Sequence, residues 1–530
     1  KIELPETLQY IGTTSFYNCA SVEELIIPGS VINVSREAFK NCTKLKTLTL
    51  SDGVGNINYD AFKNCSSLES VEIPGNIENL SDAFDGCPNV ETLSIGGNAE
   101  SIHCGNPYLK SVSVGGNVGS LSLYSCTNLK SINVSGKVNQ IENCSSLEEA
   151  TFTGGVENIY SWAFSNCDRL KKLVLGEGTK YIGSYAFRNC DALESLTIPG
   201  SVERIEYDAF SNCDSLKELT FSDGIKNIGS YAFSYCRSLE KVNFNGSVES
   251  IGYNAFYNCS KLKGVYISNI ADWCNINFDN SSSNPLCYSK NLYLNGKAIT
   301  NIVIPKEATR IGNYAFCGLI GLSTVTIEGS IERIGDSAFA GCTGLKSINF
   351  PDGLKGIGNN AFYDCIGLQN VKLPGSTEYI GSGAFSGCTG LSSVSLNEGL
   401  RQIYSGAFVD CSALKTINLP IGLELIGSRA FVGCSKLSKI DIPESVPSIE
   451  QGTFMYCEKL GTVTLHNGLE SIGEYAFEGC TSLGELVIPE SVFEIGRRAF
   501  YGCSSLVKTN IPNGVLTVND STFEACSLLV

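Results

Sequence analysis

The sequence predicts a repeat solenoid, one array of stacked coils in place of several globular domains. Three observations predict it. Cysteine returns every 23 residues along Cys144, Cys167, Cys190, Cys213, Cys236 and Cys259, and again from Cys342 to Cys526. The slot held by Leu193 and Leu216 recurs 23 times between Val22 and Leu529, leaving no domain-sized segment outside the array. The 530 residues also exceed the ~250–300 at which a single core stops growing, whereas a solenoid adds core with each coil. We expect about 23 coils of 23 residues, built from short parallel strands and short helical or 3-10 turns.

The stretch from Leu193 to Ser215 shows what each slot does. Leu196 and Ile198 flank Thr197 with period-2 alternation, a short strand with one face inward. Pro199 follows and stops the strand, because proline cannot donate to the ladder. Val202 and Ile205 re-enter the core on the return path. Glycine often follows that isoleucine (Gly183, Gly229, Gly252, Gly312), as expected where backbone turns tightly. Ala209, Cys213 and Leu216 stand at i, i+4 and i+7, so Ala-Phe-x-x-Cys reads as one inward-facing helical or 3-10 turn. A single coil cannot bury these faces alone; stacked neighbours can.

Composition removes several function classes. A formal charge of −16 disfavours nucleic acid, which needs clustered Lys and Arg. No apolar run reaches the ~18 residues of a membrane-spanning helix. Two histidines, no Cys-x-x-Cys, and a closest cysteine spacing of 13 argue against zinc, and we expect no cofactor. No nucleophile elbow, phosphate loop or His-Glu-x-x-His helix occurs, so we expect no enzyme. Leu4-Pro5-Glu6-Thr7-Leu8 resembles a sortase signal but reads as the strand-ending slot of a coil. The Asn-Cys-Ser/Thr sites at Asn41, Asn64, Asn143 and Asn258 read as turn chemistry. Both ends fall within a coil without a polar capping unit, from which we expect a longer natural chain.

Of the 24 cysteines, 20 share one slot. Equivalent Cβ atoms in stacked coils point the same way at a spacing of ~5 Å, beyond disulfide reach, which predicts a ladder of buried thiols. Cys104, Cys274, Cys287 and Cys317 lie off it, and Cys274–Cys287 is the candidate pairing if any disulfide forms.

The form Cys-x-x-Leu-x-x-Leu-x-Ile-Pro-x-x-Val-x-x-Ile-Gly-x-x-Ala-Phe, repeated over essentially the whole chain, resembles the BspA-like, Treponema pallidum-type leucine-rich repeats. That resemblance implies a leucine-rich-repeat right-handed superhelix and a cell-surface or secreted bacterial adhesin whose partners are host or microbial surface or matrix proteins. In such a solenoid the strands line the concave side. The outward column there holds Thr197, Thr220, Asn243, Tyr266, Val303, Thr326, Asn349, Lys372 and Ser395, our candidate protein-binding face. The alternative is a glycan-binding surface made by convex tyrosines, such as Tyr185, Tyr231, Tyr314 and Tyr475, together with Trp273.

Two stretches break the period. Between Phe84 and Phe152 no phenylalanine occurs and the leucine slots close up, so the Ala-Phe turn is expected to be lost there. From Leu262 to Ile299 the spacing widens to 37 residues and admits Trp273, either a ligand contact or part of a structural cap between the two half-arrays. The organisation expected is an N-terminal half-array over 1–262 with short coils at 91–147, an irregular coil over 263–298, and a C-terminal half-array over 299–530.

Overall fold

In a computed structural model, which describes residues 2–142, 144–153 and 156–530, the chain forms two compact units, Lys1–Leu262 and Lys263–Val530. Asn143 lies outside the described residues. Each unit is a stack of parallel-stranded coils.

In the first unit, Ser195–Ile198 pairs in register with Glu218–Phe221 one coil on, Thr197 opposite Thr220. Pro199 opens a turn as well as ending the strand: the Val202 amide donates to its carbonyl at 3.1 Å. A second parallel ladder follows, with Ile205 paired to Ile182 and Ile228 in the coils on either side. Every coil of this type therefore carries two strands, and the return path is itself part of a sheet. Leu196, Ile198, Val202, Ile205, Ala209, Phe210, Cys213 and Leu216 fill the space between them and are all buried.

The Ala-Phe-x-x-Cys segment faces inward but is not helical. Ala209 and Ser211 amides donate within the coil, to Glu206 and Asp208 carbonyls, while Asp208, Phe210 and Asn212 amides donate to Ser230, Ala232 and Ser234 of the next coil. The alternation follows from left-handed backbone at Asp208 (φ 55°) and Asn212 (φ 58°), which turns successive amides in opposite directions. A continuous 3-10 helix would direct all of them within the coil.

The turn glycines do a different job from the one expected. Gly183 is not left-handed; a Cβ there would lie 2.5 Å from the Ser161 nitrogen in the preceding coil. It permits close stacking. The left-handed slots are filled by Asn, Asp and Tyr in many coils, including Asn41, Asn64 and Asn258. Their amides then bond from rung to rung, Asn41 to Asn18 at 2.8 Å and Asn212 to Asn189 at 3.1 Å, which is the turn chemistry expected of the Asn-Cys-Ser/Thr sites.

Phenylalanines stack along each unit, Phe187 on Phe210 at 5.0 Å and Phe339 on Phe362 at 5.4 Å, with nearly parallel rings. Beside them runs the cysteine ladder, most of its buried thiols donating to the phenylalanine carbonyl of the preceding coil, as from Cys213 to Phe187 at 3.4 Å. Where the turn was expected to vanish, long strands replace it: Ala99–Cys104, Ser111–Tyr124 and Ser131–Glu142 pair side by side. Asn106 stands in the cysteine slot here. It is buried, and its amide nitrogen reaches the Phe84 carbonyl at 3.4 Å, taking over the thiol's donor role.

The second unit opens with the irregular coil. Helix α1 (Ile270–Asn275) is capped by Asn269, whose side chain accepts from the Ala271 amide, and helix α2 (Leu286–Ser289) ends at left-handed Lys290. The strand Leu292–Leu294 pairs with Gly264–Ile267 and turns back through Asn295-Gly296, both at positive φ, into Lys297–Ala298. Cys274 on α1 is buried, whereas Cys287 on α2 is half-buried against the turn carrying Cys317. The candidate Cys274–Cys287 pairing is corrected: Cys274 on α1 is buried in the core, and the Cys287 thiol reaches the Cys317 carbonyl instead.

Candidate interaction surfaces

The strand face is built by alternation, leucine and isoleucine inward, small polar residues outward. In the first unit its members bond to one another. Asn243 donates to Thr220 at 2.9 Å and to Glu218 at 3.1 Å, and Lys241 reaches Glu218 at 2.8 Å. Lys241 and Asn243 together hold the Glu218 carboxyl below its ordinary range. Thr197, Thr220 and Asn243 thus form one continuous column. Further rung-to-rung pairs, such as Lys217–Glu194 and Lys226–Glu203, sit in solvent, where such pairs add little stability.

In the second unit Tyr266 stacks on Tyr293 at 4.5 Å, so the hairpin adds an aromatic neighbour that the spacing did not reveal. Val303, Thr326 and Asn349 follow in register, and Lys372 pairs with Ser395. This column exposes Val303 (52%) and Val487 (77%), as the first unit's column exposes Ile26 (54%) and Val174 (41%) on the same slot. Beside it His466 bonds Asp441 at 2.7 Å, over a shallow groove of about 220 Å³ lined by Ile421, Pro443 and Glu444.

Trp273 does not reach any surface. It is 1% exposed, rests on Phe278, and its indole nitrogen donates to the Ala315 carbonyl at 2.8 Å. Its candidacy as a ligand contact is corrected: the side chain plugs the irregular coil against the next one, and its polar atom is already used.

The tyrosines divide. Tyr185, Tyr231, Tyr314 and Tyr475 are half-buried and all left-handed. In the first unit two of them belong to an unbroken row, Trp162, Tyr185, Tyr207, Tyr231 and Tyr253, with centroids 4.1, 5.4, 5.6 and 6.0 Å apart. Trp162 lies flat on Tyr185, while Tyr207 and Tyr253 tilt by about 60° from their neighbours. Burial of part of the Tyr207 ring raises its hydroxyl above the ordinary range. Aromatics alternating between the two slots before Ala-Phe were the sequence signal for this row.

A larger open cavity of about 650 Å³ lies over Asn76, Asn98 and Asn117. Each of the first two accepts the next one's backbone amide, at 2.8 and 2.7 Å, so the amides serve the ladder. Among the described residues no group of three or more His, Cys, Asp or Glu could hold a metal ion, and no helix is long and apolar enough to cross a membrane.

The sequence family described as BspA type leucine rich repeat region matches residues 1–106, 104–194, 180–292, 287–415 and 401–530. No curated protein matches. Among solved structures, a leucine-rich repeat protein from Bacteroides ovatus is 30% identical over 66% of this chain and 81% of its own, with a TM-score of 0.46. A leucine rich cell surface protein from Faecalibacterium prausnitzii is 25% identical over 63% of this chain and 83% of its own, with a TM-score of 0.36. The T. pallidum leucine rich repeat protein is 26% identical over 39% of this chain and 78% of its own, with a TM-score of 0.26.

Proposed function

The chain belongs to the BspA-type leucine-rich repeat family, and from that premise we propose that it is a non-enzymatic, cell-surface or secreted adhesin that binds protein partners across the strand face of its second unit. The observation that carries this reading is two in-register runs on that face, Val303–Thr326–Asn349 and Lys372–Ser395, polar groups beside an exposed valine. A binding face needs apolar contact area within a polar rim, and Val303 beside Thr326 supplies both; Thr220 and Asn243 of the first unit's column bond to each other. Few aromatic anchors occupy the column, so affinity builds across many coils instead of at one hot spot. The test is binding of the purified chain to immobilised extracellular matrix proteins. Thr326→Arg combined with Asn349→Arg should weaken binding by tenfold or more; undiminished binding sinks the assignment.

A second reading is a glycan chain on the first unit, favoured by the aromatic row. Rings stacked on each other have their faces occupied. Tyr207 (40% exposed) and Tyr253 (50% exposed) tilt out of the stack and offer faces two coils apart, a separation of ~10 Å at the usual strand spacing. Alternate sugars of an extended β-linked chain present the same face, which suits two such platforms. Loss of glycan-array binding on Tyr207→Ala with Tyr253→Ala supports it; an array with no binding at all removes it.

A further inference from the structure

We propose that Cys287 and Cys317 are a dithiol that oxidises to a disulfide, fastening α2 of the irregular coil to the first regular coil of the second unit. The Cys287 thiol donates to the Cys317 carbonyl at 3.5 Å. The backbones come equally close: a Cβ on Gly318 would stand 3.6 Å from the Cys287 Cα. Both cysteines are half-buried, so a small oxidant reaches them.

This pair differs from the ladder in the property that matters. Ladder cysteines are equivalent residues of stacked coils, projecting in parallel at the coil spacing, as Cys365 does beside Cys342 with each thiol donating to the phenylalanine carbonyl of the coil before. Cys317 precedes the ladder slot, which Leu319 fills here. Cys287 comes from a helix with no counterpart in other coils. Two non-equivalent positions come together here, free of the parallel projection that holds ladder Cβ atoms at the coil spacing.

The attacking sulfur is also defined. The hydrogen bond from Cys287 holds Cys317 below the ordinary thiol range against the cost of burial, and the Lys290 ammonium adds to this. With a low-molecular-weight disulfide as oxidant, the Cys317 thiolate attacks one of its sulfurs, forming a mixed disulfide and expelling one small thiolate. The Cys287 thiolate then attacks the Cys317 sulfur and expels the second. Two protein thiols are oxidised, one small disulfide is reduced to two thiols, and the protons of the cysteines end on the leaving groups.

The full chain is incubated in glutathione redox buffers of graded ratio, blocked with N-ethylmaleimide under native conditions, digested and read by mass spectrometry. The expected result is one cross-linked peptide pair joining Cys287 to Cys317, lighter by two hydrogens, with loss of both alkylation sites while Cys274 and the ladder thiols stay reduced. The cross-link should vanish in Cys317→Ser and persist in Cys274→Ser. Separate glutathione adducts on Cys287 and Cys317, both left reduced in the most oxidising buffer, or a Cys274–Cys287 link would each overturn the proposal. The wild-type measurement decides even if a variant folds poorly.

Discussion

The thiol of Cys213 donates to the carbonyl of Phe187 in the coil before it, 3.4 Å away. The same bond recurs from Cys236 to Phe210 at 3.3 Å and from Cys434 to Phe408 at 3.2 Å, so the cysteine slot suits a small apolar body that can also donate. Cys213→Val keeps the apolar volume and removes the donor, leaving a buried carbonyl unpaired at a cost of about 1–3 kcal/mol. Cys213→Ser keeps a donor. The valine variant should show the lower urea midpoint for the first unit; equal midpoints would mean that the bond adds nothing.

Arg429 holds left-handed backbone (φ 60°) in a slot that glycine fills one coil earlier at Gly406 and one later at Gly452. Left-handed backbone costs a side-chain-bearing residue ~1–2 kcal/mol, against ~0.4–1 kcal/mol of extra unfolded-state entropy for glycine. Arg429→Gly should therefore stabilise the second unit by roughly 0.5 kcal/mol. A clear fall in thermal midpoint would show that the arginine side chain contributes more than its backbone costs.

Removing Trp273 empties a packed site and takes from the Ala315 carbonyl one of its two side-chain donors, leaving the Asn284 amide at 3.2 Å. Trp273→Ala should destabilise the second unit by about 3–5 kcal/mol, seen as an earlier unfolding transition. Any ligand binding should be lost in proportion to unfolding and not at temperatures where the variant is folded. Selective loss of binding in the folded variant would return the tryptophan to a ligand role.

The ladder also sets a pH limit. Burial pushes the thiols of Cys259, Cys388 and Cys457 from the ordinary 9.0 up to about 12. Below pH 9 both folded and unfolded chains keep these protons, so stability does not change with pH on their account. Between pH 9 and about 12 the unfolded thiols ionise and the folded ones do not, so stability falls as pH rises. Alkaline denaturation should start near pH 9 and move to higher pH in Cys388→Ala with Cys457→Ala, measured relative to that variant's own neutral stability. An unchanged alkaline slope would refute the linkage.

What could be read from the sequence was whatever repeats. Ile198, Cys213 and Leu216 announce their burial by recurrence, and recurrence also separated the ladder cysteines from the other four. Conformation within a slot was less legible. Gly183 advertised a tight turn, but the left-handed positions are Asp208 and Asn212, because asparagine and aspartate tolerate that region and bond along the stack. The site is harder still. The column at Thr326 follows from alternation, whereas Trp273 stands in a segment without period, and only its hydrogen bond to Ala315, 42 residues away, decides that it is core. Likewise Cys287 and Cys317 belong to different elements, and no spacing rule connects them.

The alternation of amides in the turn, one bonded within its coil and the next to its neighbour, gives every regular coil matching faces above and below. A crossover in the gene between any two equivalent slots would therefore delete or add whole rungs while leaving each remaining amide an acceptor of the same kind. Length is the property such a chain can change most cheaply. The irregular coil, with its plug and its off-ladder thiols, has no equivalent slot to recombine with, and so stands as a fixed landmark from which the number of rungs on either side can drift independently.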